Sequence, residues 1–167
     1  SVRSENRSGL DNADENRDIL LQSLGQTSDI VIGQIQADAG ADVRLVSADD
    51  ILTQDNASLV FTDDLALLAE NETGDSIDSV RLIVDANQLE GRVEGAARGD
   101  INIRELNTIQ LASSDNDDDS QAIVTTNGQI SLSAGDRIIV EDSGRVNDGD
   151  QLRDDPELFA GGANGRI

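Results

Sequence analysis

The sequence predicts an all-β chain wound into a parallel β-helix, a solenoid with loop insertions at its corners and polar connector segments at both ends. Three observations predict it. Short β-type runs recur between polar corners, a strand–corner–strand unit recurs with its apolar positions in register, and the core alphabet is almost purely aliphatic.

The core alphabet is the simplest of the three. The 167 residues are 37% hydrophobic, enough for one domain with a core, yet they include no Trp, Tyr, Met or Cys and only two Phe, Phe61 and Phe159. The interior must be built from Ile, Leu, Val and Ala, which suit thin, evenly stacked layers better than a globule organised around large rings.

The runs follow in chain order from Ile19 to about Val146. They are Asp18-Ile19-Leu20-Leu21, Asp29-Ile30-Val31-Ile32, Asp42-Val43-Arg44-Leu45, Leu65-Ala66-Leu67, Val80-Arg81-Leu82, Asp100-Ile101-Asn102-Ile103 and the pair within 127–142. Several alternate apolar and polar with period 2, as a strand with one buried face does, and Asp, Gly, Asn and Ser punctuate them. DDLALLAE (63–70) is the one stretch whose propensity would suit a helix, and its length suits a strand equally well.

Register decides between hairpin and coil. In NGQISLSAGDRIIVED (127–142), Ile130–Leu132 and Ile138–Val140 flank a polar corner and would pair with each other in a hairpin. Laying 100–113 over 129–142 without a gap puts Ile101, Ile103, Ile109 and Leu111 on Ile130, Leu132, Ile138 and Val140. Laying 42–55 over the same stretch puts Val43 on Ile130, Leu45 on Leu132 and Ile51 on Ile138. A hairpin protein has no need of such coincidence. A coil requires it, because equivalent residues stack about 4.8 Å apart. The irregular spacing is read as rungs of about 20 residues with insertions at corners. SSDNDDDSQ (113–121) and NETGDSID (71–78) are two such insertions.

Residues 1–17 read as a polar N-terminal connector, 18–146 as the coil, and 147–167 as an acidic, Gly-rich connector or docking segment with Leu158-Phe159 as a small anchor. Nothing at either end carries the apolar stripe of a capping helix. No apolar stretch approaches the ~20 residues needed to span a bilayer, and SVRSENRSGL lacks the apolar core of a signal peptide. Starting without Met, the chain reads as a segment of something longer.

Charge bounds the partners. The 34 acids, 25 of them Asp, face 12 bases, all Arg, for a formal net charge of −22. That balance repels nucleic acid and anionic lipid, favours divalent cations and keeps the surface soluble. A high-salt habitat would favour the same Asp-over-Lys bias. Without Lys there is no Lys–Asn isopeptide cross-link. Without His or Cys the usual near-neutral acid–base group, thiolate chemistry and the commonest zinc ligands are missing.

Four patterns invite a site. Asp115, Asp117, Asp118 and Asp119 crowd one loop, and Asp148, Asp150, Asp154 and Asp155 another; calcium takes six to eight oxygens, and Asp115, Asp117, Asp118, Asp119, Asp148 and Asp150 are the candidate ligands. Neither loop matches the EF-hand or the calcium β-roll spacing, and the plainer reading is a solvated acidic loop. No cofactor is required; calcium is the one candidate. Arg98-Gly99-Asp100 matches a receptor-binding tripeptide, but Asp100 opens a strand and the plainer reading is a corner. The pairs Asp49-Asp50 and Asp63-Asp64 suggest acid–base couples, yet neighbours on a strand point to opposite faces. Asn56 and Asn71 begin N-glycosylation acceptor triplets in expected corners.

The rhythm of DILLQSLGQTSDIVIGQIQADAGADVRLVSADDIL, RGDINIRELNTIQL and TTNGQISLSAGDRIIVED resembles the repeats of giant bacterial surface proteins, the haemagglutinin-like and related repetitive adhesins, over residues 18–146. That resemblance implies a right-handed parallel β-helix displayed at the cell surface or outside the cell. The expected role is a structural repeat of an extracellular filament or stalk, not an enzyme, whose partners are neighbouring copies stacked head to tail, with divalent cations and no nucleic acid or membrane insertion. The alternative is an adhesin module that binds protein or glycan through its inserts. A polysaccharide-active enzyme is a third reading, weakened by the lack of rings to line a groove.

Overall fold

The computed structural model describes residues 2–3, 18–25, 27–37, 40–70, 78–95, 97–111, 123–140, 158–160 and 166–167. Among them every regular element is a strand, and almost every pairing is parallel. The chain is a β-solenoid whose turns present three faces.

Face 1 is a ladder of β2 (Ile19–Gln22), β5 (Val43–Ser47), the second half of β7 (Leu59–Glu70) and the second half of β8 (Asp78–Glu94), followed by β10 (Ile109–Leu111) and β13 (Ile138–Val140). Its inward column reads Ile19, Val43, Leu65, Leu89, Leu111, one residue per turn, and the backbone register continues to Val140. Face 2 stacks β3 (Ile30–Ile32), β6 (Ile51–Thr53), the start of β8, β9 (Asp100–Glu105) and β12 (Ile130–Ala134), with the column Ile30, Ile51, Val80, Ile101, Ile130. Face 3 sets β4 (Gln34–Gln36) beneath the start of β7 and the middle of β8, with Ile35, Val60 and Val84 in register. DDLALLAE (63–70) is strand, within β7.

The period-2 pattern explains the core. In β9 burial alternates along Asp100–Glu105, with Ile101, Ile103 and Glu105 inward and Asn102 and Arg104 in water. The largest fully buried side chains are aliphatic (Leu45, Ile51, Leu65, Leu82, Ile101, Ile103, Ile109 and Leu111 among them), so most of each layer is one aliphatic side chain thick and sits on another. Corners need special backbone only rarely: Gly40, which precedes β5, has φ 80°, and Gly95, which follows β8, has φ 120°.

The pairing answers the hairpin question. β12 does not pair with β13; it lies parallel on β9, with Ile130 against Ile101 and Leu132 against Ile103, while β13 lies on β10, with Ile138 against Ile109 and Val140 against Leu111. The superposition of 100–113 on 129–142 is therefore a true one-turn register. The superposition of 42–55 is not: Val43 belongs to face 1 and Ile130 to face 2, so that match repeats the shape of a corner, one face out of step. Turns are also slightly longer than 20 residues: Val43 to Leu65 is 22 and Leu65 to Leu89 is 24.

Insertions have a defined exit. Leu111 pairs with Leu89 and Ile123, in β11 (Ile123–Thr125), pairs with Gly91, two positions on along β8, so residues 112–122 leave and re-enter one ladder. One turn later Val140 lies on Leu111, and Leu158, in β14 (Leu158–Ala160), lies on Ile123. Residues 141–157 thus depart from the same place as 112–122. At the opposite end of face 1, β1 (Val2–Arg3) pairs antiparallel with β2.

Candidate functional site

Solenoid corners repeat once per turn, and here they are acidic. The residue just before the first inward apolar side chain of a strand is repeatedly Asp. Its carboxylate accepts the backbone N–H one turn further along: Asp42 N–H to Asp18 Oδ1 at 3.2 Å, Asp64 N–H to Asp42 Oδ1 at 3.3 Å, Asp50 N–H to Asp29 Oδ1 at 3.3 Å, and Gln129 N–H to Asp100 Oδ1 at 3.0 Å. These N–H groups lie where strands diverge into corners, and a short acceptor side chain satisfies them.

Stacking acids on acids has an electrostatic cost. Asp18 and Asp42 are buried, and Asp18 Oδ2 has no hydrogen-bond partner. Burial, reinforced by the nearby carboxylates of Asp64 and Asp18, pushes the Asp42 carboxyl up to about 6, against the pull of the Asp64 N–H it accepts. Further along, acids meet donors instead. Asn87 Nδ2 donates to Asp63 Oδ1, Asn107 Nδ2 to Asp85 Oδ1 at 3.0 Å, and Thr108 Oγ1 to Asp136 Oδ2 at 3.2 Å.

Glu105 stands in an inward column between Val84 and Ala134 and is 2% exposed. Its two oxygens accept the N–H groups of Ala86 and Asn107, both at 3.1 Å, and burial raises its affinity for a proton. A carboxylate here satisfies two corner amides that an aliphatic side chain would leave bare.

The corner between faces 1 and 2 gathers the closest set of carboxylates. Asp29, Asp49 and Asp50 bring ligand oxygens within 4.8 Å of one another, Asp49 and Asp50 buried and Asp29 exposed. Ser47 Oγ lies 2.9 Å from both Ser28 O and Asp50 O, able to donate to either, and Ser23 Oγ donates to Ser28 O at 2.6 Å, so hydroxyls hold the corner backbone. The expectation that Asp49 and Asp50 diverge is corrected here. They sit on a corner ahead of β6, not along a strand, and both are buried with carboxylate oxygens within 4.8 Å of each other. With one oxygen from each, the three carboxylates supply at most half of the six to eight oxygens calcium takes.

The other sequence candidates separate clearly. Asp115, Asp117, Asp118, Asp119, Asp148, Asp150, Asp154, Asp155 and Asn71 lie outside the described residues. Arg98 grips Asp100 in a two-point ion pair, at 2.7 and 3.0 Å, and Gly99 is buried with its carbonyl accepting Thr125 Oγ1 at 2.6 Å, so the tripeptide is built into a corner. Asn56 is exposed, while Ser58 of its triplet is buried and donates to Asp55 Oδ1 at 3.1 Å. The Asp-to-N–H ladder escaped sequence reading. Its signal was present in the recurrence of Asp immediately before Ile, Val or Leu.

Comparison with family models, with curated proteins and with solved structures returned no match. Among the described residues no helix is long and apolar enough to cross a membrane.

Proposed function

We propose that this chain is a structural repeat of an extracellular filament or surface stalk, stacking head to tail through the ends of its coil, with its acid-rich surface recruiting divalent cations. One observation carries the reading. Ile109 is 1% exposed, but Ile138, stacked on it one turn later, is 44% exposed. The column that ends at Ile138 is therefore bare at the last described turn of face 1, where β13 has β10 as its one partner among the described residues; on face 2, by contrast, Ile130 is buried and its N–H donates to Arg166 O at 2.7 Å. At the other end β3 and β4 each have one partner strand among the described residues. A further turn in the same register would cover both. The backbone ladder would then act as the load-bearing element, and the layered aliphatic core would continue across the junction.

Sedimentation and negative-stain imaging over a concentration series test this. The expected result is head-to-tail oligomers that lengthen with concentration and are abolished by Ile138→Asp, which places a charge in the junction. A chain that stays monomeric throughout overturns the reading.

A binding module is the second reading, favoured by the shared exit of residues 112–122 and 141–157 from adjacent turns. Two inserts anchored side by side are a common way to build one recognition surface on a rigid scaffold. Deleting either insert would then abolish partner binding while leaving end-to-end assembly intact.

A further inference from the structure

β1 gives the two ends of face 1 different characters. Val2 lies opposite Leu21 and Arg3 opposite Leu20, and this is the one antiparallel pairing among the described strands. Ile19 N–H donates to Asp42 O at 2.9 Å and Ser23 N–H to Val46 O at 3.0 Å, so these residues turn their amides toward β5. By strand alternation Leu20 turns its N–H and C=O the other way, onto the edge that β1 occupies. A neighbouring copy adding head to tail would bring its β13, the far end of the same ladder, to that edge.

We propose that β1 is a displaceable guard on the end of the coil, and that its release licenses addition of a second copy of this chain through face 1. The proposal rests on the stacking reading and adds its regulation. Three features support it. An antiparallel strand reverses the polarity of the ladder, so β13 of another copy cannot continue the parallel register over it. The guard is only two residues long, so few backbone bonds hold it. Among the described residues it covers face 1 alone, and β3 and β4, each with one partner strand, offer a foothold from which an incoming copy can compete for the β2 edge.

Two variants of the full chain test it. Val2→Pro with Arg3→Pro removes both amide donors of β1 and the fit of the pair to the ladder. Val2→Cys with Leu21→Cys pins β1 instead; the position is the non-hydrogen-bonded pair, which suits a disulfide, and the native sequence has no Cys to interfere. Hydrogen exchange at the Leu20 amide reports the guard, and sedimentation reports assembly. The double-proline chain is expected to lose protection at Leu20 and to assemble at about tenfold lower concentration than the native chain. The pinned chain is expected to stay monomeric until reduced. Equal assembly of all three forms overturns the guard and keeps stacking. Unchanged exchange at Leu20 in the double-proline chain overturns the β1–β2 pairing itself. If exchange responds as expected but no form assembles, stacking fails and the licensing role falls with it.

Discussion

Two adjacent columns of face 1 obey the same geometry with opposite results. Ile19, Val43, Leu65, Leu89 and Leu111 stack one per turn, and so do Asp18, Asp42 and Asp64, one residue earlier on the first three turns. Stacking like on like suits aliphatic side chains, because each covers the next from water. For carboxylates the same register sets like charges a few ångströms apart. The chain keeps the apolar column throughout and abandons the acidic one, with Gln88 succeeding Asp64. A solenoid's register is indifferent to chemistry, so the sequence has to vary wherever repetition is unfavourable.

The largest effect lies in the apolar column. Leu65 is 1% exposed, with Val43 and Leu89 on either side in the ladder, and Leu65→Ala should cost about 3–4 kcal/mol by urea denaturation. Leu132→Ala, half-buried on the last strand of face 2, should cost about 1 kcal/mol, since only one neighbouring turn loses contact. Equal losses would show that the end turn is as enclosed as the middle. Next comes the acid that does belong in an inward column: Glu105→Ala should cost about 2 kcal/mol by stranding the amides of Ala86 and Asn107, and Glu105→Gln should cost less by keeping one acceptor oxygen. If Ala and Gln behave alike, the two hydrogen bonds contribute nothing.

How much of this was legible follows from what carried the information. Ile101 over Ile130 and Ile109 over Ile138 could be read because each apolar position is matched by another apolar side chain one turn away. The false match of 42–55 arose because a strand, corner and strand look alike on any pair of faces, and nothing in side-chain identity labels the face. The Asp ladder was harder to see, since its acceptors serve backbone N–H groups, which have no letter in the sequence, 21 to 29 residues away. Asp29 joins Asp49 and Asp50 only because the coil closes a turn between them. β1 was illegible for the opposite reason: two residues carry no periodicity, and only the free edge of β2 gives them a place.

The acidic column sharpens the comparison through pH. Asp42 has an ordinary carboxyl value of 3.8 when exposed and about 6 in the fold. The folded state therefore holds the proton more tightly, so the stabilisation is fully present below pH 3.8 and is lost as pH rises to about 6. The loss should be about 1–3 kcal/mol, the upper figure being the full shift and the lower allowing for solvent screening. Asp42→Asn keeps an oxygen for the Asp64 N–H and removes the charge. Its melting temperature should exceed that of the native chain at pH 7 and converge with it near pH 4. A native chain whose stability rises between pH 4 and pH 6 by as much as the variant's would remove Asp42 from the account.

The smallest effect asks whether the acidic column can be rebuilt elsewhere. Asn107 and Asp85 are stacked one turn apart, the amide donating to the carboxylate at 3.0 Å in an exposed setting. Asn107→Asp replaces that donor with a second carboxylate and recreates the Asp-on-Asp arrangement of the first turns. Because water surrounds this pair, the cost should be no more than about 0.5 kcal/mol at low ionic strength, fading as salt approaches the range where the screening length falls to ~3 Å. Chemical denaturation of the native and Asn107→Asp chains at two salt concentrations reads it directly. A cost that persists undiminished at high salt would mean that the lost hydrogen bond, not the like charge, sets the preference for an amide there, and the contrast between the two halves of the corner would then be one of donors and not of repulsion.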